Sequence, residues 1–526
     1  MSNSSTTPPS STQILVIGGG PAGSYSAAVL AREGFQVTVF EKDIFPRYHI
    51  GETMLSSFRL FLKYIGAHEA VEEFGFAAKV GAAVKLNQRK REGYTDFTHG
   101  GEHPERGAFN VTRADLDDIL LKHAGKCGAS IHEGVRVTDI IFSPDHPGQP
   151  IAADWKSEQG SGRISFSYLV DGSGRAGIMS TRYLKNRKFT QNPVLKNLAT
   201  WGYWEGTNMY GKGTRRENSP WFEALTDETG WAWFIPLAHK TSVGVVITEP
   251  EARAKKAAAA DAKEYYLGQL ALAPGTMKLI GDGKFVSDTK SAADYSYSAG
   301  EYAGPNFRIV GDAGGQFRID PVFSSGVHLA FTGALSAATT IAASIRKHCT
   351  EEEASALHSK KVSVSYTRFL LVVLGVYKQI HHQESTMLSE VDEDNFDRAF
   401  DFIRPVIQGD DTDTAKMAAI QKTVDFVGSG FGVLQGGDPQ HEGLSERFDQ
   451  LLAENGPAVP NKDYMKPDLL AKASGADEES QDILQRINAR KALTGMFNWN
   501  FEGESLNGFD VVLDRGSLGL QRVTVR

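Results

Sequence analysis

The sequence predicts an α/β fold, with a parallel sheet and helices at its N-terminal end, a second sheet inserted near the middle, and a mostly helical C-terminal region. An uninterrupted β-prone strand, a glycine turn and a helix open the chain, aromatic-rich short segments fill residues 190–299, and alanine-rich helical spacing follows Gly326. The boundaries that follow are a disordered tail at 1–12, a core at 13–346 holding the inserted sheet, and a mostly helical region at 347–526.

Taken in order, Met1–Thr12 is rich in Ser, Thr and Pro and lacks the basic start and apolar centre of a signal peptide. Ile14–Ile17 reads as a strand buried on both faces, Ala22–Glu33 as a helix ended by Gly34, and Phe35–Phe40 as the second strand of a βαβ unit. Ser167–Val170 and Phe307–Val310 read as later strands, each running into an Asp-Gly or Gly-Asp turn; ligands of open α/β sheets sit beyond such strand ends. Leu198–Glu205 and Thr241–Thr248 are strands of the inserted sheet, a roof over a substrate. Val327–Lys347 and Val362–Gln383 have helical spacing.

With 526 residues, 41% hydrophobic and 23% charged, the chain has material for a large core. Its net charge of -8 provides no basic field for a polyanion, so nucleic acid is not an expected partner. The two cysteines, Cys127 and Cys349, lack metal-ligand spacing; no metal site is assigned, and a cytoplasmic location is expected. The strongest apolar run, Phe369–Val376, is far shorter than the roughly 20 residues of a membrane helix, so no membrane span is expected.

The turn Gly18-Gly19-Gly20-Pro21-Ala22-Gly23 fits a dinucleotide fingerprint. Gly18 allows a tight turn, Gly20 lets backbone approach a pyrophosphate, and Gly23 packs helix on strand. The helix N-terminus beyond offers N–H donors to the phosphates, and Glu41, at the end of the second strand, is placed to accept ribose hydroxyls. Such a turn alone is often only a glycine turn; here strand, turn, helix, strand and acid follow within 41 residues. Asp171-Gly172-Ser173-Gly174-Arg175 and Gly311-Asp312-Ala313 resemble the second and third FAD motifs of the flavin monooxygenase-like superfamily. That resemblance implies an FAD-binding Rossmann-like domain, with Asp312 at the ribityl and pyrophosphate region and Arg113 near the cofactor. The glycines at Gly428-Ser429-Gly430-Phe431-Gly432 have the wrong spacing for a nicotinamide site and read as a loop or helix break.

Trp231-Ala232-Trp233-Phe234-Ile235-Pro236 matches the W-x-W-x-I-P motif of flavin-dependent halogenases. The stretches Phe45–Glu52, Arg91–Phe97 and Phe323–His328 resemble those of the fungal phenolic halogenases, which act on free polyketide-type or terpenoid aryl substrates. The resemblance implies that reduced FAD, O2 and chloride yield hypochlorous acid, which chlorinates a small aromatic substrate. Trp231 and Trp233 would hold that substrate away from the flavin, although aromatic residues in such a strand also serve as plain packing. It further implies that Ser325 and Gly326 bind the halide through helix-start N–H groups, with Val327 against the flavin and Glu52 among the cofactor contacts. A serine N-cap would give Ser325 the same geometry.

Lys85, in the strand-like Gly81–Leu86, matches the lysine that halogenases set between flavin and substrate, where its ammonium would carry the electrophilic chlorine; Lys79, Lys90 and Arg89 nearby read as ordinary surface cations. A general base for the phenol is not assigned among Glu502, Glu504 and Asp510. The resemblance implies reduced FAD supplied by a separate flavin reductase. Two other readings share the fingerprint: an aromatic hydroxylase of the same fold, and a non-catalytic flavin-fold binding protein.

Overall fold

The computed structural model of the chain describes residues 7–88, 92–98, 107–189, 195–293, 296–316, 325–381, 383 and 506–523. Gly428–Gly432, Glu502 and Glu504 lie outside them, as do Arg91, Phe323 and Ser324 of the stretches named above.

Ile14–Ile17 forms the predicted strand, and its four side chains are all buried. Alternation sends Ile14 and Val16 into one core, with helix Pro21–Arg32 and helix Ser325–Ile345, and Leu15 and Ile17 into another, under Val137, Trp155 and Ile164. That two-sided burial is why the strand carries no polar residue. Among the described residues the central sheet has six strands, ordered Ala303–Gly304, Phe307–Ile309, Tyr168–Asp171, Ile14–Ile17, Val37–Glu41 and Ser130–Glu133. Its pairs are parallel except the first. The first helix starts one residue earlier than expected, at Pro21, where proline has no helical N–H to lose.

Helix Ser325–Ile345 is long and apolar enough to cross a membrane, yet 83% of its most apolar 18-residue window is buried inside the protein. Phe331 stacks on Tyr25 of the first helix at 4.5 Å between ring centroids. The hydropathy belongs to a core helix.

The inserted sheet runs Lys284–Phe285, Asn197–Glu205, Thr241–Thr248, Gly230–Pro236, Trp221–Ala224, Gly81–Lys85 and Gly93–Asp96, with Lys290–Ala293 also paired to Asn197–Glu205. It therefore reaches beyond the expected 190–299, because Gly81–Lys85 joins Trp221–Ala224 by a parallel pairing across more than a hundred residues, which leaves no local pattern in the sequence. One face is covered by the helices Glu249–Ala258, Ala262–Leu270 and Pro274–Ile280, through Phe234, Val243, Val245, Tyr266 and Leu270.

One boundary differs from the sequence reading. Ser11 makes a parallel bridge with Ser165, and the Thr12 N–H donates to the Ser165 carbonyl at 2.9 Å, so the sheet edge already holds residues assigned to a free tail. Beyond helix Glu351–His381, the described part of the C-terminal region is a β-hairpin, Phe509–Val512 with Gly519–Arg522.

Candidate functional site

The fingerprint turn is assembled as its glycines require. A Cβ on Gly18 would lie 2.2 Å from the Gly172 carbonyl oxygen, and one on Gly23 would lie 1.9 Å from that of Gly18. At Gly20 the nearest atom to such a Cβ is Arg47 Nη2, at 3.7 Å, so the backbone there opens onto space that a pyrophosphate fits. Glu41 Oε2 accepts the Gly19 N–H at 2.6 Å and Oε1 accepts that of Asp43 at 2.8 Å, which fixes the carboxylate over the turn. Gly311, at φ +57°, would place a Cβ 3.0 Å from that of Ala22 and 3.6 Å from that of Ala330. The Gly311-Asp312 turn, Ala22 and the long helix thus meet at the strand ends, and the set fits an FAD.

Arg113 is buried and grips Asp117 with two hydrogen bonds, Nε to Oδ1 at 2.9 Å and Nη2 to Oδ2 at 3.1 Å. Its Nη1 reaches the Ile50 carbonyl at 3.0 Å. Arg47 closes the cluster with 2.7 Å from Nη1 to Asp117 Oδ2. The Arg113 and Arg47 charges hold the Asp117 carboxyl below its usual range against the upward push of burial. Asp117 and Arg47 were not picked out from the sequence, although the i,i+4 spacing of Arg113 and Asp117 was there to read.

Trp231 and Trp233 lie two residues apart on one strand and share a face, with ring centroids 5.8 Å apart. In register, Trp233 opposes Gly244, which opposes Trp201. A Cβ on Gly244 would strike the Trp233 ring at 2.3 Å, so this glycine makes room for the indole. Trp231 Nε1 donates to the Tyr377 hydroxyl at 3.3 Å, and Trp233 Nε1 to Ser242 Oγ at 3.2 Å. Both indoles are buried and tethered. The same face carries Tyr203, whose hydroxyl donates to Glu52 Oε1 at 2.8 Å, so the tryptophans look toward the Tyr48–Glu52 segment of the flavin-binding core.

The register counts against Lys85. Lys85 opposes Glu223, which opposes Ala232, the residue between the two tryptophans. Lys85 and Glu223 therefore belong to the other face. Glu223 shows where that face leads: it accepts from the Gly275 and Thr276 N–H groups at 2.9 and 2.7 Å, at the start of a covering helix. Lys79, passed over as a surface cation, is 1% exposed, and its Nζ donates to the Met54 carbonyl at 2.8 Å, two residues past Glu52. Its ammonium also stands 5.1 Å from the centroid of the Phe97 ring. A lysine buried so completely is rare, but nothing in its local sequence distinguishes it from its neighbours.

Glu52 is buried, with its carboxyl turned to the inserted sheet rather than to the fingerprint turn. Ser325 and Val327 are buried, whereas Gly326 is exposed and no atom lies within 4 Å of where its Cβ would be. Ser57 Oγ and His328 Nδ1 are 2.7 Å apart, which moors the start of the long helix. Burial, together with the Lys361 charge, holds His328 down to about 4.

The family described as tryptophan halogenase matches residues 13–110 and 102–400. Over 530 residues the chain is 53% identical to the flavin-dependent halogenase armH1 of Armillaria mellea, covering 98% of this chain and 99% of that protein. It is 43% identical over 537 residues to the sulochrin halogenase gedL of Aspergillus terreus, covering 98% of this chain and 94% of that one. Among solved structures, the myxobacterial chondrochloren halogenase CndH shares the fold, with TM-score 0.64 and 24% identity over 80% of this chain and 98% of that chain. The chain belongs to the tryptophan-halogenase family and is a flavin-dependent halogenase, an oxidoreductase that uses reduced FAD and a halide.

Proposed function

We propose that this enzyme chlorinates a small phenolic substrate, using FAD reduced by a separate flavin reductase. Bound reduced FAD supplies the oxidising equivalent, from O2, that turns chloride into hypochlorous acid. The observation that carries the reading is the tethered pair Trp231 and Trp233 on the sheet face toward the Glu52 segment. Two rigid indoles there would keep an aromatic ring from the flavin and let only a small oxidant pass. The Gly18–Gly23 turn with Glu41, Arg113 and the Asp312 turn would hold the cofactor, and Ser325 and Gly326 at the helix start would hold chloride, with Val327 beside the flavin.

The ammonium that would position hypochlorous acid is Lys79 in preference to Lys85, because Lys79 is buried on the Glu52 side while the strand register turns Lys85 to the face of Glu223. A phenol is already activated for electrophilic attack, so orientation of the oxidant is the protein's main contribution. The sulochrin halogenase relative supports a small aromatic acceptor. The test is incubation with FAD, a flavin reductase, NADH, chloride and a panel of phenols. Products should show the chlorine isotope pattern; hydroxylated products without chlorine would make the protein an aromatic hydroxylase, and a parallel run with bromide reports halide choice.

A further inference from the structure

We propose that Arg187 and Tyr297 are positioning residues for the cofactor, a clamp that locks the Asp312 turn into the shape that receives FAD and ties it to the Asp171–Arg175 turn. The clamp rests on the reading of the Asp312 turn as part of the FAD site. Gly311-Asp312-Ala313-Gly314-Gly315 carries three glycines in five residues, a backbone with little shape of its own. A turn that meets the pyrophosphate and ribityl chain binds tightly only when it is held in one conformation beforehand.

The hydrogen bonds show what holds it. Strand Arg187–Phe189 pairs with Tyr297–Ala299, which pairs in turn with Gly315–Gln316, so Arg187 and Tyr297 reach the turn from a small sheet that the turn itself enters. The Tyr297 hydroxyl donates to the Asp312 carbonyl at 2.6 Å. The next carbonyl, that of Ala313, accepts twice, from Ser180 Oγ at 2.6 Å and from Arg187 Nη2 at 3.1 Å, which occupies both of its lone pairs. Peptide units are planar, so orienting these two carbonyls fixes the backbone on either side of Ala313. The Gly314 carbonyl accepts the Ala299 N–H at 2.7 Å. Ala313 is thereby fully buried, whereas Asp312 is half-buried and stays accessible to a ligand.

Arg187 also holds the other turn. Its Nη1 donates to the Arg175 carbonyl at 2.8 Å and its Nη2 to Ser180 Oγ at 3.2 Å, so one planar guanidinium spans both motifs. A lysine ammonium, a point charge, cannot make that span. The guanidinium carbon lies 3.9 Å from the centroid of the Tyr297 ring, and Phe189 meets the same ring edge-on at 5.6 Å between centroids. Gly177, at φ +50°, leaves the space: a Cβ there would lie 1.8 Å from Arg187 Nη2. The carbonyls that Arg187 grips belong to residues 12 and 126 positions away, which is why its own stretch of sequence does not mark it.

The experiment titrates oxidised FAD into the full chain, with flavin fluorescence reporting binding, beside urea unfolding and hydrogen exchange at residues 311–316. Tyr297→Phe keeps the ring beside Arg187 and removes one hydrogen bond, and should raise the FAD dissociation constant roughly 3- to 10-fold. Arg187→Met and Arg187→Lys should each raise it by roughly 10-fold or more, because charged donors are lost or displaced. All three should exchange faster at 311–316 without FAD and regain protection at saturation, since a turn ordered for less of the time binds in proportion to that fraction. Glu223→Gln, which weakens the fold on the covered face of the inserted sheet, should leave the affinity unchanged. An unmoved dissociation constant in Tyr297→Phe and Arg187→Met, or an equal loss of affinity in Glu223→Gln, would overturn the clamp. Should the Arg187 variants fail to fold, Tyr297→Phe decides by the same readings. Full affinity in Asp312→Ala would refute the Asp312 contact separately, and exchange at 311–316 would still decide whether Arg187 and Tyr297 order the turn.

Discussion

Trp231 and Tyr377 meet across 3.3 Å, indole N–H to phenol oxygen, and so join the inserted sheet to helix Glu351–His381. The helix end is bound to the same region: Gln383 Nε2 donates to the Leu225 carbonyl at 2.9 Å, and the Gln88 N–H donates to Gln383 Oε1 at 2.8 Å. Tyr377→Phe removes the acceptor and leaves a buried indole N–H unsatisfied, at a cost of about 1–3 kcal/mol. A lowered melting temperature together with new hydroxylated product is the expected outcome. An unchanged product profile would mean that the tether does not hold the barrier.

Lys79→Met keeps most of the buried volume and removes the charge. It should still oxidise reduced FAD, with chlorinated product down by roughly 100-fold or more, while Lys85→Ala should chlorinate at near the unaltered rate. Mass spectrometry of the phenol after equal turnover of NADH separates the two; the opposite ranking would return the role to Lys85.

Glu223 is fully buried and accepts from Gly275 N, Thr276 N, Thr276 Oγ1, Trp221 Nε1 and Gln88 Nε2. Glu223→Ala orphans several buried donors at once and should cost at least about 3 kcal/mol, since each unsatisfied group costs about 1–3 kcal/mol. Urea unfolding should show Glu223→Gln less destabilised, because the amide oxygen still accepts. Equal midpoints for the two variants would refute the account.

Burial holds His358 down to about 3, with the Arg308 charge adding to it; Nδ1 faces Ser336 Oγ at 3.0 Å and Nε2 the Ile309 carbonyl at 3.1 Å. Unfolded histidine binds a proton near pH 6.5 that the folded site refuses, so stability is complete above that pH and falls as pH drops toward the folded value. His358 should contribute up to about 1.4 kcal/mol per pH unit within that window. His49 and His328, both held to about 4, act in the same direction, whereas the raised Glu52 and Asp171 oppose them. Urea midpoints at pH 7 and 5 should therefore differ less in His358→Gln than in the unaltered chain; an equal difference would remove His358 from the acid response.

The fingerprint was legible because strand, turn, helix and acid are contiguous, and each glycine answers to a clash or an opening beside it. The tryptophan pair was legible as a motif, but its tethers to Tyr377 and Ser242 depend on residues 146 and 9 positions away. Lys85 shows the limit of strand alternation: it tells which residues share a face, and only the pairing with Glu223 and Ala232 tells which face is which. Lys79 was unreadable for a related reason, since its burial comes from Met54 and Phe97, brought to it by tertiary folding.

The hairpin at 506–523 returns to the beginning of the chain. Glu33, just past the first helix, accepts the Gly516 and Leu518 N–H groups at 2.9 and 3.2 Å, and Arg346 pairs with Glu33 at 2.9 Å. Leu513 and Leu518 are buried in the same core as the first helix. A truncation after Gln383 would thus tear a staple from the nucleotide-binding half of the molecule, and its damage would surface as lost flavin retention far from the cut.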